Sequence, residues 1–332
     1  HFVNSGSEAN ELAIRMAKTY TQQQDMLAIE VGYHGNTNAC IDVSSYKFDG
    51  KGGQGAPPST HLLPIPDSFR GKYRNPVTAG QEYANYAKPI IQKLAKTGKG
   101  VAGVIVESIL SCGGQIVLPE NYLKNLYRIV RAAGGLCVAD EVQVGMGRVG
   151  KHFWGFELQE VVPDIVTIGK PIGNGHPLGA VVCTEAVAEA FANGMEYFNT
   201  FGGNPVSCAI GQAVLEVVQT ESLQAHALRI GDYLKAGFQD LQSRFPVIGD
   251  VRGHGLFLGV ELVEDVAKKT PASQKAAYLA NRMREMGILI STDGPYCNVL
   301  KIKPPLCFSM SNADLLLSRM EEILKEHAMR SL

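Results

Sequence analysis

No charge of either sign dominates this 332-residue sequence: 31 lysines and arginines stand against 32 aspartates and glutamates, for a net charge of −1. A chain so balanced, and without a basic tail, is not built to neutralise a nucleic-acid backbone. No apolar run approaches the roughly 20 residues that cross a bilayer as a helix. Low-complexity blocks and fixed-period repeats are missing as well, which excludes solenoids and arrays. Neither CxxC nor HExxH occurs, and histidines and cysteines do not cluster, so neither a structural nor a catalytic metal is indicated. The seven cysteines (Cys40, Cys112, Cys137, Cys183, Cys208, Cys297, Cys307) are scattered, odd in number and mostly inside apolar strands. They read as reduced residues of an intracellular, cytoplasmic protein. The chain opens at His1-Phe2-Val3 without a methionine and reaches its first motif at once. An upstream part is therefore expected, with room in it for a targeting signal.

What is present is material for a large core: 45% hydrophobic residues and 36 glycines, in a length sufficient for two domains. Short continuous apolar segments at 26–31, 101–106, 136–139, 165–168 and 179–183 read as buried strands. Helical patterns at 9–20, 82–96, 121–133 and 185–192 alternate with them. This alternation predicts an α/β fold, a largely parallel sheet covered by helices on both faces. From about residue 222 the character changes. The segment 251–262 reads as a strand, 273–286 as a helix, the surroundings of 288 and 299 as strands, and 312–325 as a helix. The expected organisation is a large α/β domain, 1–221, lacking its N-terminal part, and a small α+β domain, 222–332, with no flexible linker between them.

In such sheets ligands collect beyond the carboxyl ends of the strands. Tyr33, Glu107, Asp140, Gln143 and Lys170 all fall at those ends. Lys170 has the most unusual address, delivered by the apolar run 165–168 and followed at once by Pro171 and Gly173. A partly desolvated amine there can lose its proton and act as a Schiff base or general base, whereas the bland alternative is a lysine reaching out to water. Ser5-Gly6-Ser7 opens an amphipathic helix and is either a phosphate cradle or an ordinary serine cap. A Gly/Pro-rich excursion over 49–75 carries Arg70, Lys72 and Arg74 interleaved with Phe69 and Tyr73, an anion clamp or a solvated loop. Gly145-Met146-Gly147-Arg148-Val149-Gly150 matches G-x-G-x-x-G, yet the aromatic, glycine-broken residues after it cannot form the helix that a dinucleotide site requires.

One cofactor meets these demands together: an aldehyde-bearing pyridine phosphate. Lys170 would hold it as an imine and Ser5-Gly6-Ser7 would cradle its phosphate. Tyr33 and Val142 would sandwich the ring, and Asp140 would keep the ring nitrogen protonated.

Val3-Asn4-Ser5-Gly6-Ser7-Glu8-Ala9-Asn10, Tyr33-His34-Gly35, Ala139-Asp140-Glu141-Val142-Gln143, Gly145-Met146-Gly147-Arg148, the Lys170 segment and Thr200-Phe201-Gly202-Gly203-Asn204-Pro205 occur in order along essentially the whole chain. Together they resemble the class III (ω-) aminotransferase family of pyridoxal 5'-phosphate (PLP) enzymes. The resemblance implies a fold-type-I homodimer with active sites shared between subunits. It implies that Gly6 and Ser7 hold the cofactor phosphate, that Tyr33 stacks on the ring and that Asp140 pairs with its nitrogen. Gln143 would reach the ring hydroxyl, Lys170 would carry the Schiff base, and Thr200 would contact the phosphate in the neighbouring subunit. Ser5, Glu107 and Val142 complete the expected cofactor set.

Within the family, 70–74, 107–115, Gly169-Lys170-Pro171 with Gly175-His176-Pro177, Asp293-Gly294-Pro295 and 300–305 resemble the phospho-lyases acting on O-phosphoethanolamine or 5-phosphohydroxylysine. Many family members have an arginine where Lys301 stands, gripping a carboxylate as a bidentate fork that lysine cannot make. The expected reaction is elimination of inorganic phosphate to give an aldehyde and ammonia. Lys170 and Asp140 would carry the chemistry, and Arg70, Lys72 and Arg74 would grip the substrate phosphate. Two other readings remain: a conventional ω-aminotransferase that requires a keto acid, and a non-catalytic cofactor-binding protein. Intact Lys170, Asp140 and Gln143 argue against the last.

Overall fold

Side chains alternate between the two faces of a strand, so a strand buried throughout must be covered on both. Every residue of Asp25–Ile29, Val101–Glu107 and Leu136–Asp140 is buried. In the computed structural model, which describes residues 1–331, these strands lie inside a seven-stranded sheet. Its members are Phe2–Val3 (β1), Asp25–Ile29 (β2), Thr60–Leu63 (β3), Val101–Glu107 (β4), Leu136–Asp140 (β5), Ile165–Ile168 (β6) and Gly179–Cys183 (β7). The order is β1-β7-β6-β5-β4-β2-β3. Strands β2 to β6 run parallel, while β7 is antiparallel to both of its neighbours.

Helix Gly6–Thr21 (α1) lays Ala9, Leu12, Ala13, Met16 and Ala17 against Met26, Ala28, Ile105, Leu136, Val138 and Ile165 of the strands. The alternate strand residues face the other way. Cys137 Sγ lies 3.9 Å from the Tyr127 carbonyl of helix Tyr122–Ala132 (α2), whose Leu123, Leu126, Tyr127 and Val130 are buried. Helices thus cover both faces, as the pattern of buried strands requires. Helix Pro205–Thr220 (α3) closes this first unit, which comprises residues 1–108, 118–146 and 154–220.

Among the described residues the second unit comprises 109–117, 147–153 and 221–331, so two short segments from the first half of the chain belong to it. Strands Ile248–His254 (β8), Phe257–Asp265 (β9), Ser291–Asp293 (β10) and Val299–Ile302 (β11) form an antiparallel sheet in the order β8-β9-β11-β10. Helices Leu223–Arg244 (α4), Ser273–Glu285 (α5) and Met310–Leu324 (α6) contribute Leu234, Phe238, Leu279, Met283 and Met320 to its core. The stretch 251–262, expected as one strand, is two: His254 pairs with Phe257 across a tight hairpin. Gly255, at φ +52°, takes the left-handed conformation that the reversal needs. The helix expected over 82–96 is likewise divided, into Ala79–Ala84 and Ala87–Lys96.

Candidate active site

Parallel pairing sets the carboxyl ends of the central strands side by side. Glu107 is registered against Asp140, and Asp140 against Thr167. These ends open into a cavity of about 510 Å³ that gathers Ser5, Gly6, Ser7, Tyr33, Glu107, Asp140, Val142, Gln143 and Lys170. Of the residues expected around the cofactor, Thr200 alone is outside it, exposed on the segment before α3.

Asp140 is 4% exposed and both of its carboxylate oxygens are hydrogen-bonded. It accepts from Asn10 Nδ2 at 2.8 Å, from Val142 N at 3.0 Å, and pairs with His34 Nδ1 at 2.8 Å. Asn10 also donates to the His34 carbonyl at 2.7 Å, locking the two supports together. Asn10 and His34 were not singled out from the sequence, although both lie inside motifs that were quoted. Their function depends on contacts with a residue more than a hundred positions away, which no local pattern records. Nearby, Glu107 accepts from the Tyr33 backbone at 3.2 Å. Glu141 turns to the other side, where it accepts from Gly155 N at 2.8 Å, Phe156 N at 2.9 Å and the Ser108 hydroxyl. Burial pushes its carboxyl up to about 7, against the pull of those three donors.

Lys170 follows Gly169, whose backbone is extended, and itself sits at φ +33° before Pro171. A non-glycine residue in that region is strained by roughly 1–3 kcal/mol, a cost the surrounding loop must offset. The sequence suggested a partly desolvated amine. In the structure Lys170 is exposed, at the end of β6 and in the lining of the cavity.

At the opposite element, Ser5 caps α1 by accepting from Glu8 N at 3.1 Å, so its hydroxyl does serve as an ordinary cap. The N–H groups of Gly6 and Ser7, first in the helix, have no intrahelical acceptor and stand at the positive end of its dipole. A Cβ on Gly6 would lie 2.6 Å from Val142 Cγ1, so only glycine allows this close approach. Helix terminus, buried carboxylate and amine thereby share one cavity. Their donor set matches a molecule bearing a phosphate, a basic ring nitrogen and an aldehyde.

The expected phosphate clamp is not formed in this cavity. Arg70, Lys72 and Arg74 do not line it. Arg74 donates to the Gly71 and Arg70 carbonyls, the Arg70 guanidinium lies over Phe69, and Lys72 lies over Tyr73, so these cations brace their own loop. In the second unit, Lys301 Nζ pairs with Asp293 Oδ2 at 2.7 Å. The G-x-G-x-x-G run forms turns, with Gly150 N bonding back to Gly147 O at 3.0 Å, and opens no helix.

The chain matches the family model described as aminotransferase class-III over residues 1–324. An alanine–glyoxylate aminotransferase 2-like protein of Drosophila melanogaster is 50% identical over 329 residues, covering 97% of this chain and 67% of that protein. A phospholyase from Arthrobacter, solved in complex with phosphoethanolamine, has a TM-score of 0.92 at 38% identity, covering 98% of this chain and 76% of the other. An amine transaminase from an uncultivated Pseudomonas species, solved in its PLP-bound form, has a TM-score of 0.89 at 30% identity, covering 97% and 76%.

Proposed function

Because the chain belongs to the class-III aminotransferase family, PLP-dependent enzymes of fold type I, we propose that it is a phospho-lyase. Its substrate would be a phosphorylated primary amine, O-phosphoethanolamine or 5-phosphohydroxylysine, converted to an aldehyde, ammonia and inorganic phosphate. The observation that carries this reading is the likeness to the Arthrobacter phospholyase holding phosphoethanolamine.

When bound, PLP supplies an electron sink for the negative charge that develops as a proton leaves the amine-bearing carbon. The protein's part follows from its own groups. The Gly6 and Ser7 N–H groups, with the α1 dipole behind them, bind the cofactor phosphate. Tyr33 and Val142 would flank the ring, Gln143 would reach its hydroxyl, and Ser5 and Glu107 would shape the wall between them. Asp140, held in place by Asn10, His34 and the Val142 N–H, would pair with the ring nitrogen and keep a proton there. Lys170 would carry the cofactor on Nζ, and as a free amine it would serve as the base for the proton on the substrate's amine-bearing carbon.

The assembly belonging to this reading is a homodimer. Helix α3 is largely apolar, yet only Ser207, Gly211 and Val218 of it are buried. Met195, Phe198, Phe201 and Val206 are exposed beside or within it. A second copy covering this face would bring Thr200 to the cofactor phosphate of its neighbour.

The test is phosphate release from O-phosphoethanolamine, measured with and without pyruvate or 2-oxoglutarate. Release without a keto acid is expected. Strict dependence on the keto acid would establish instead the second reading, a conventional ω-aminotransferase, which the name of the Drosophila relative favours.

A further inference from the structure

The loop that follows Lys170 carries His176, which lines the same cavity and has no part in the function proposed above. Its ring is held from behind. Nε2 lies 2.8 Å from Ser207 Oγ, and Ser207 is 3% exposed. Asn204 Nδ2 donates to that same hydroxyl oxygen at 2.8 Å, while Ser207 N donates to Asn204 Oδ1 at 3.0 Å. The turn presenting the histidine is equally constrained, since a Cβ on Gly173 would lie 2.1 Å from the His176 carbonyl oxygen.

Asn204 fills one acceptor site of Ser207 Oγ, which leaves the hydroxyl free to donate to His176 Nε2. In that arrangement the imidazole carries its own proton on Nδ1. That nitrogen has no protein partner among the described residues, nor is it among the buried polar atoms left unsatisfied, so it meets solvent. An oriented N–H donor in the wall of a cavity that also holds a helix N-terminus is suited to an anion.

We propose that His176 is a phosphate-contacting residue of the Lys170 cavity, with Nδ1–H donating to a phosphate-monoester oxygen and with Ser207 and Asn204 as its positioning residues. The inference rests on the phospho-lyase reading. Under that reading two phosphate monoesters enter the cavity, the substrate's and the cofactor's, and the test separates them.

Four affinities are measured on wild type, His176→Phe, His176→Asn and Ser207→Ala: PLP and pyridoxal on the apoenzyme, and O-phosphoethanolamine and ethanolamine by the absorbance change of the holoenzyme. Phenylalanine fills the ring space without a donor; asparagine restores an N–H near the place of Nδ1. A charge-assisted hydrogen bond predicts that His176→Phe weakens one phosphorylated ligand by about tenfold or more. Its unphosphorylated counterpart should be unchanged, His176→Asn should recover part of the loss, and Ser207→Ala should show a smaller loss of the same selectivity. A loss confined to PLP assigns the contact to the cofactor, and one confined to O-phosphoethanolamine assigns it to the substrate. Equal losses for phosphorylated and unphosphorylated ligands, or none, overturn the proposal even where wild type releases phosphate. A wild type that releases no phosphate sinks the lyase reading and the substrate arm with it, while PLP against pyridoxal still decides the histidine.

Discussion

A methyl group added at Gly6 would lie 2.6 Å from Val142 Cγ1, closer than real carbon contacts permit. Gly6→Ala is therefore expected to move the start of α1 and to weaken PLP binding by about tenfold, by loss of a charge-assisted N–H contact. Val142→Ala in the same chain should restore part of it, which a cofactor titration of single and double variants would reveal. Lys170→Ala should abolish the borohydride-reducible adduct with PLP; an adduct that survives would remove Lys170 from its role. At Asn10 the amide supports both Asp140 and the His34 carbonyl. Asn10→Leu should cost roughly 1–3 kcal/mol in denaturant unfolding, because it removes the donor to the buried His34 carbonyl and one of the two partners of Asp140 Oδ2. Gly6, Lys170 and Asp140 were legible from their strand-end and helix-start addresses. The hydrogen bonds that hold Asp140 were not, since they join side chains from three separate elements.

Among the elements, the β8–β9 hairpin carries the clearest pH dependence. Burial, reinforced by Lys235 and Lys151 nearby, holds His254 down at about 4 against an ordinary 6.5. The unfolded chain therefore binds the proton first as pH falls. The stability this neutral histidine contributes is present above about pH 6.5 and lost as pH drops towards about 4, up to about 3 kcal/mol. Unfolding of wild type and His254→Asn at about pH 7 and about pH 4.5 should show the wild type losing more stability over that interval; parallel losses would refute the assignment. The same hairpin shows why one reading of the sequence failed. Apolar residues on both sides of the glycines made 251–262 read as one strand, whereas the chain reverses at Gly255, in the left-handed conformation.

At the scale of the whole molecule, α3 and the segment before it present an apolar surface that the chain does not cover for itself. If the proposed homodimer forms through this surface, Phe201→Asp should shift the sedimentation of the protein from dimer to monomer and reduce activity, since a charge placed in an apolar interface must be desolvated. A dimer that persists would locate the interface elsewhere. Among the described residues no helix is long and apolar enough to cross a membrane.

Composition and periodicity by themselves determined the α/β layering and the addresses of Asp140, Lys170 and Ser5-Gly6-Ser7 at strand ends and a helix start. Those properties follow from burial and backbone geometry, which act over a few residues and leave a pattern in the chain. Only the tertiary structure decided that Asn10 and His34 hold Asp140, that Arg70, Lys72 and Arg74 brace their own loop, and that Ser207 and Asn204 aim His176 into the Lys170 cavity. Each is a hydrogen-bond or packing choice settled by which distant elements meet, and no one-dimensional period records such a meeting.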